Sequence, residues 1–212
     1  MTDRQIIIGF MITAMLLVLL IFVSFFLEGN IRHILLEENG LVESASAFGY
    51  FLCAVFILYK GKLVYLKRKH YFFFLIIFFM LRELDFNARF TTMSISKTRF
   101  FISSHVPLIE KFIGVIVFLF LLYIIFSILY FHLKDFYYGL KNRSTTAIGA
   151  LIVIAFLVMS QVLDGIDRRL DEFGVKLGER VSMHASAMEE ILEMGIPIIL
   201  ILTFCAYFRD TA

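Results

Sequence analysis

The chain has 212 residues, 60% of them hydrophobic and 18% charged, with a mean hydropathy of +0.88. Soluble domains are about 45–50% apolar, so a water-soluble fold cannot hide this much apolar surface and the bilayer is the natural solvent. A net charge of +2, with no basic stripe interleaved with aromatics, leaves no case for nucleic acid as a partner.

A membrane helix needs roughly 20 mostly apolar residues. The first run, Ile6–Leu27, carries no charge and is longer than a signal-peptide core of about 7–15 residues. No small-x-small cleavage site follows it, so it reads as a retained span. Leu41–Tyr59, Tyr71–Phe86, Ile109–Leu133, Thr146–Leu163 and Ala187–Phe208 come next. With flanking turns, the predicted spans cover about 6–27, 41–60, 67–86, 108–133, 146–168 and 187–208. Continuous apolar runs without dyad alternation predict helices rather than barrel strands. No linker, soluble domain or repeat interrupts them. The expected fold is therefore all-α, a polytopic bundle of six transmembrane helices in a single transmembrane domain. Between the third and fourth spans, Phe90, Met93, Lys97 and Phe100/Phe101 recur at helical spacing and predict a short helix lying in the interface. Pro107 suits the first turn of the fourth span, where its missing N–H costs nothing. Cys53 and Cys205 sit inside apolar runs; they cannot form a disulfide framework or zinc knuckle and read as small core residues.

Six spans put the N-terminus, Lys60–His70, Lys134–Arg143 and the C-terminus on one side. The 20 basic residues divide evenly, ten to each side. Of the 18 acids, only Asp3, Asp135 and Asp210 fall on the N-terminal side, which is net +7 against net −5 opposite. Acids contribute little to topology, but the arginines of the acidic side sit among carboxylates, whereas Lys60–Lys69 is a compact basic loop. The basic side is read as cytoplasmic, with both termini there. Without Trp, the interface belt falls to tyrosines such as Tyr65, Tyr71, Tyr130, Tyr137 and Tyr138.

Polar clusters lie at the opposite ends of the spans. Glu37-Glu38-Asn39-Gly40 precedes the second span, and on a helix Glu43, Ser46 and Tyr50 share one face. Arg82, Asp85 and Arg89 share a face at the end of the third, and Glu83 and Asn87 share another. Glu110-Lys111 opens the fourth. Ser160, Asp164, Asp167/Arg168 and Asp171 form a stripe closing the fifth, and Ser186, Glu189, Glu190 and Glu193 open the sixth. Charges at span ends ordinarily mark the water interface, and Ser186-x-x-Glu189 fits a capping box. Glu28, Glu37, Glu172, Glu179 and Glu189 read as solvated ends or caps. Glu43, Arg82, Glu83, Asp85, Asp164 and Glu193 lie within or against apolar sequence, where a charge at mid-bilayer costs about 2.5–3.5 kcal/mol on the insertion scale. They persist as ion pairs, for instance Arg82 with Asp164 or Glu193, or as a functional site. Pro197 frees the carbonyl of Glu193, which implies either a broken sixth span at a watery cavity or a packing kink.

Clustered carboxylates are hard-oxygen ligands, so a divalent cation on Glu43, Glu83, Asp164 and Glu190 is one expectation. His33, His70, His105, His132 and His184 form no paired haem or zinc pattern, although His105 and His184 fall on the acidic side. No Walker loop, Gly-x-Ser-x-Gly, His-Glu-x-x-His or Cys-x-x-Cys is present. Glu189-Glu190 lacks the following arginine and the partner Phe-x-x-x-His of CAAX-type intramembrane proteases, which removes that family.

Glu38-Asn39-Gly40-Leu41-Val42-Glu43, Arg82-Glu83-Leu84-Asp85-Phe86, Val106-Pro107-Leu108-Ile109-Glu110-Lys111, Leu163-Asp164-Gly165-Ile166-Asp167-Arg168 and Glu189-Glu190-Ile191-Leu192-Glu193-Met194 with Pro197 occur in that order. The order resembles a group of bacterial six-span membrane proteins with no assigned activity, over nearly the whole chain. The resemblance implies a bacterial inner-membrane location and no transferable activity. The sequence thus predicts a polar chamber near the periplasmic face, lined by Glu43, Glu83, Asp85, Asp164, Asp167, Glu190 and Glu193 with Arg82 and Arg168. Such a chamber binds or passes a cation or a lipid head group. The alternatives are a metal-dependent hydrolase or transferase acting on lipids, and a non-enzymatic structural or sensory subunit. The apolar surface leaves room for a homo-oligomer, without a small-xxx-small pattern that names a face.

Overall fold

The structure, a computed structural model, describes residues 1–26, 40–93, 95 and 98–210. Leu27, Glu28, His33, Glu37, Glu38, Asn39 and Lys97, singled out above, lie outside the described residues. Among the described residues all regular structure is helical: α1 Asp3–Ser24, α2 Leu41–Glu83, α3 Phe86–Phe90, α4 Thr98–Ile102, α5 Leu108–Lys141, α6 Thr145–Leu163, α7 Ile166–Glu172 and α8 Glu179–Asp210. Five of these (α1, α2, α5, α6 and α8) are long and apolar enough to cross a membrane. The chain is a multi-pass membrane protein.

Several helix ends differ from expectation, each for a local reason. α1 starts at a capping box: the Thr2 hydroxyl accepts from the Gln5 N–H, and the Gln5 side chain accepts from the Thr2 N–H at 2.8 Å. α8 starts at Glu179 rather than Ala187, so Ser186 is interior to the helix and caps nothing. α5 runs to Lys141, eight residues past Leu133, which reduces the expected Lys134–Arg143 loop to a turn. Both helices thus continue beyond their apolar runs. The fifth span stops at Leu163 instead of about 168, because Gly165 adopts the left-handed conformation (φ 59°) and redirects the chain into α7. The single interfacial helix expected between the third and fourth spans is instead two five-residue helices, α3 and α4. Phe100, in α4, is wholly buried, not facing an interface.

The 43-residue α2 covers both the second and third apolar runs. Its backbone leaves helical geometry at Lys62 (φ 51°, ψ −169°) and Lys69 (φ −135°, ψ 36°). In a straight helix Tyr50 and Phe79 would stand about 43 Å apart. Their rings are 5.6 Å apart, so α2 folds back on itself between those two breaks. The fold-back falls in the basic run, where a continuous helix would have to keep five cations on an apolar rod.

The chain forms two compact units, residues 1–49 with 137–212, and residues 50–136. In the first, α1 and α6 run parallel to each other and antiparallel to α8. The Thr145 hydroxyl bonds Asp3 at one end; Leu17 forms a core with Ala187 and Ile191, flanked by Phe156 and Met194, further along. Backbones approach closely at glycines. A Cβ on Gly149 would lie 2.2 Å from Thr203 Oγ1 and 2.8 Å from Phe10 Cζ; one on Gly195 would lie 2.5 Å from Leu17 Cδ1. In lipid, apolar burial alone does not drive helices together, and such close contact supplies the dispersion that does. In the second unit, the returning half of α2 lies antiparallel to α5 through aromatic contacts, Phe74 and Phe78 on Phe120 and Tyr71 on Phe131.

Gly149→Leu is expected to cost about 1–3 kcal/mol by overpacking at the α1–α6–α8 crossing. Gly178→Leu, in open space, should stay within about 0.5 kcal/mol. Thermal melting of detergent-purified variants checks both.

Candidate functional site

Within the first unit, the opening turns of α2 run parallel to α8. Val42 packs on the Leu17–Ala187–Ile191 core, and Gly49 meets Pro197, where a Cβ would lie 2.9 Å from the proline Cγ. Glu43 and Ser46 fall between these two anchors, at the height of Glu190 and Glu193. Ser46 is fully buried and its hydroxyl donates to the Val42 carbonyl at 3.0 Å. Glu193 is 7% exposed, while Glu43, Glu189 and Glu190 are half-buried. Arg209 lies sixteen residues further along α8, about 24 Å from Glu193 at 1.5 Å per residue.

Pro197 does not break the sixth span. α8 continues through it, and its buried ring fills the space Gly49 leaves. The packing alternative raised by the sequence is the one that the contact with Gly49 explains.

Asp164, Asp167 and Arg168 belong to the same unit but do a more local job. Asp164 leaves helical geometry (φ −56°, ψ 114°) at the end of α6, so no continuous stripe runs from Ser160 to Asp171. Gln161 donates to Asp164 at 3.3 Å, Arg168 stands 3.8 Å from it, and Arg169 donates to the Gln161 carbonyl at 3.1 Å. The guanidinium of Arg168 lies against Gly165, where a Cβ would be 2.6 Å from Nη2. The Arg169 bond occupies a carbonyl that the helix end leaves without an intrahelical donor. Asp164 and Arg168 are largely exposed, and an ion pair in that setting is worth about 0–1 kcal/mol.

In the second unit, Glu83 is 6% exposed at the end of α2, with Arg82 Nε 3.6 Å from its Oε1. Asp85 adopts a left-handed conformation (φ 46°), and its N–H donates to the Arg82 carbonyl at 2.9 Å. The turn breaks helical register, so Arg82, Asp85 and Arg89 do not share the helix face that continuous spacing implies, nor does a continuous face join Glu83 to Asn87. Glu110, in the first turn of α5, accepts from both the N–H and the hydroxyl of Thr92, at 2.8 and 2.9 Å, and pins the preceding loop.

Sequence reasoning missed two polar arrangements. Arg209 Nη2 lies 2.7 Å from Asp3 and 2.6 Å from Asp210, with Thr145 donating to Asp3. The signal was present: Asp3, Thr145 and Arg209 each flank an apolar run on the side assigned to the termini. In the second unit, Tyr71 bonds His132 Nε2 at 2.6 Å and Tyr123 bonds His70 Nε2 at 2.9 Å, while His132 Nδ1 is 3.8 Å from Asp135. Nothing in single-span spacing reveals these pairs, because each crosses between helices more than fifty residues apart.

Among the described residues, no group of three or more His, Cys, Asp or Glu side chains is placed to hold a metal ion. Comparison with models of known protein families, with curated proteins and with solved structures found no match for this chain.

Tyr71 is buried, and removal of its hydroxyl deprives His132 of a buried partner. Tyr71→Phe is expected to cost about 1 kcal/mol. Tyr123→Phe, at the more exposed pair, should cost less than about 0.5 kcal/mol. Equal losses in thermal unfolding would contradict this ranking.

Proposed function

We propose that this protein crosses a bacterial inner membrane six times with both termini cytoplasmic. We further propose that Glu43, Glu190 and Glu193, near the periplasmic face, bind or pass a cation or a zwitterionic lipid head group. The sixth crossing comes from α2, whose fold-back between Lys62 and Lys69 supports counting its halves as two spans. A helix of 43 residues is about 65 Å long, more than twice the hydrocarbon thickness of about 30 Å. The cationic turn supports a cytoplasmic tip.

The observation that carries the binding reading is the burial of Glu193 on a membrane-spanning helix, with half-buried Glu43 and Glu190 at neighbouring heights. A carboxylate below the interface is costly unless a counter-charge, hydrogen bonds or a ligand offset its lost hydration. No group of three acids among the described residues is placed to coordinate one metal ion, so their summed negative charge would attract a passing cation or the cationic end of a head group without caging it. Glu193 and Glu190 lie three residues apart on one helix, so a bound cation can meet both from one side. Asp164 and Arg168 fit the non-enzymatic alternative better, since their bonds are satisfied locally at a helix end.

Two measurements test these readings. Labelling of single cysteines in intact cells should find Asp3→Cys and Lys62→Cys accessible from one side and Gly178→Cys from the other; Lys62→Cys labelled together with Gly178→Cys overturns the six-span topology. Titration of the purified protein with Mg²⁺, Ca²⁺ or short-chain phosphatidylethanolamine should raise Tm with at least one probe. A ligand at a hundred times its Kd stabilises by about 2.7 kcal/mol. Glu190→Gln/Glu193→Gln should fold and lose that response. No shift with any probe overturns the binding reading.

A further inference from the structure

The turn of α2 holds a concentration of charge that the acidic site does not use. Lys60, Lys62, Lys67, Arg68 and Lys69 occupy ten residues, and no acid occurs between Glu43 and Glu83. Lys60, Lys62, Lys67 and Arg68 are exposed. Between them Leu63 is 73% and Val64 is 65% exposed, while Tyr65 is buried and anchors the turn to its own unit. Two bare aliphatic side chains framed by cations match an interface with acyl chains on one side and anionic phosphates on the other.

The backbone adds a second observation. Lys62 has φ 51° and ψ −169°, a region that only glycine enters readily, yet Gly61 is its neighbour. A lysine in that conformation at the break projects a cation where a glycine would satisfy the chain better. No acidic side chain of the turn competes for it.

We infer that the α2 turn is a binding site for anionic phospholipid head groups, with Leu63 and Val64 seated among the acyl chains and Lys60, Lys62, Lys67 and Arg68 holding the phosphates. The inference rests on α2 crossing the membrane twice, as proposed above. It differs from the acidic site in residues and in the charge of its ligand. Charge complementarity selects an anionic lipid over a zwitterionic one, because each cation contributes attraction only toward net negative charge.

The test uses the full chain in neutral detergent, titrated with short-chain phosphatidylglycerol, short-chain phosphatidylcholine or inorganic phosphate, with Tm as readout. Phosphatidylglycerol should raise Tm, and the other two should not. Lys60→Gln/Lys62→Gly/Lys67→Gln/Arg68→Gln should keep the Tm of the parent in phosphatidylcholine and bind phosphatidylglycerol about a thousandfold more weakly. Lys141→Gln/Arg143→Gln, outside the turn, should keep the response. An equal shift with phosphatidylcholine, a shift with inorganic phosphate alone, or an undiminished response in the fourfold variant overturns the inference. If the fourfold variant fails to fold, Lys62→Gly alone decides: a weaker phosphatidylglycerol response supports the site, an unchanged one overturns it. Failure of the Lys62→Cys labelling would overturn the topology, whereas failure of the lipid titration with that labelling intact overturns only this site.

Discussion

Close backbone approach at glycine is the constraint on which the first unit depends. Lipid surrounds the outer faces, so helices gain little by hiding apolar side chains from it and must gain from contact with one another. Gly149 lets Thr203 and Phe10 reach the α6 backbone, and Gly195 admits Leu17. These contacts set the vertical registration of α1, α6 and α8. Registration in turn sets the depth of Glu193, and a slip of one turn would carry that carboxyl by about 5.4 Å, either into water or further into hydrocarbon.

The same contacts separate two kinds of charge that look alike along the chain. Asp164 and Arg168 sit where a helix ends and meet each other there, while the neighbouring Arg169 bonds a carbonyl of that end. Glu193 sits inside a helix, one turn before a proline that cannot donate to the Glu193 carbonyl and whose ring packs on Gly49. A carboxyl in that position does not serve as a cap. Its burial on a helix long and apolar enough to cross a membrane is the observation on which the proposed function draws.

The helical character, the apolar first helix and the reversal near Lys60–Lys69 were legible from apolar periodicity and charge placement. Helix ends were less so, for two opposite reasons. The segments Glu179–Ser186 and Lys134–Lys141 lie outside the continuous apolar runs yet are helical, and hydropathy does not register them. Asp85 and Asp164–Gly165 interrupt runs that spacing treats as continuous, so residues three and seven apart were placed on shared faces they do not occupy. Glu193 and Glu83 could be expected to be buried from their apolar neighbours. The partners of Asp3, Tyr71 and Glu110 could not, since each depends on which distant helix lies alongside.

The antiparallel pairing of α1 with α8 has a consequence for biogenesis. Ile6, Phe10 and Leu17 are buried, and the partners that cover Leu17 arrive between Ala187 and Gly195, some 170 residues later. During synthesis at about 5–20 residues per second, α1 therefore waits in the bilayer for roughly ten to forty seconds with its inner face unmatched. Its lack of charge from Gln5 to Phe26 lets it wait in fat without penalty, and the late arrival of α8 makes closure of this unit the last step of assembly.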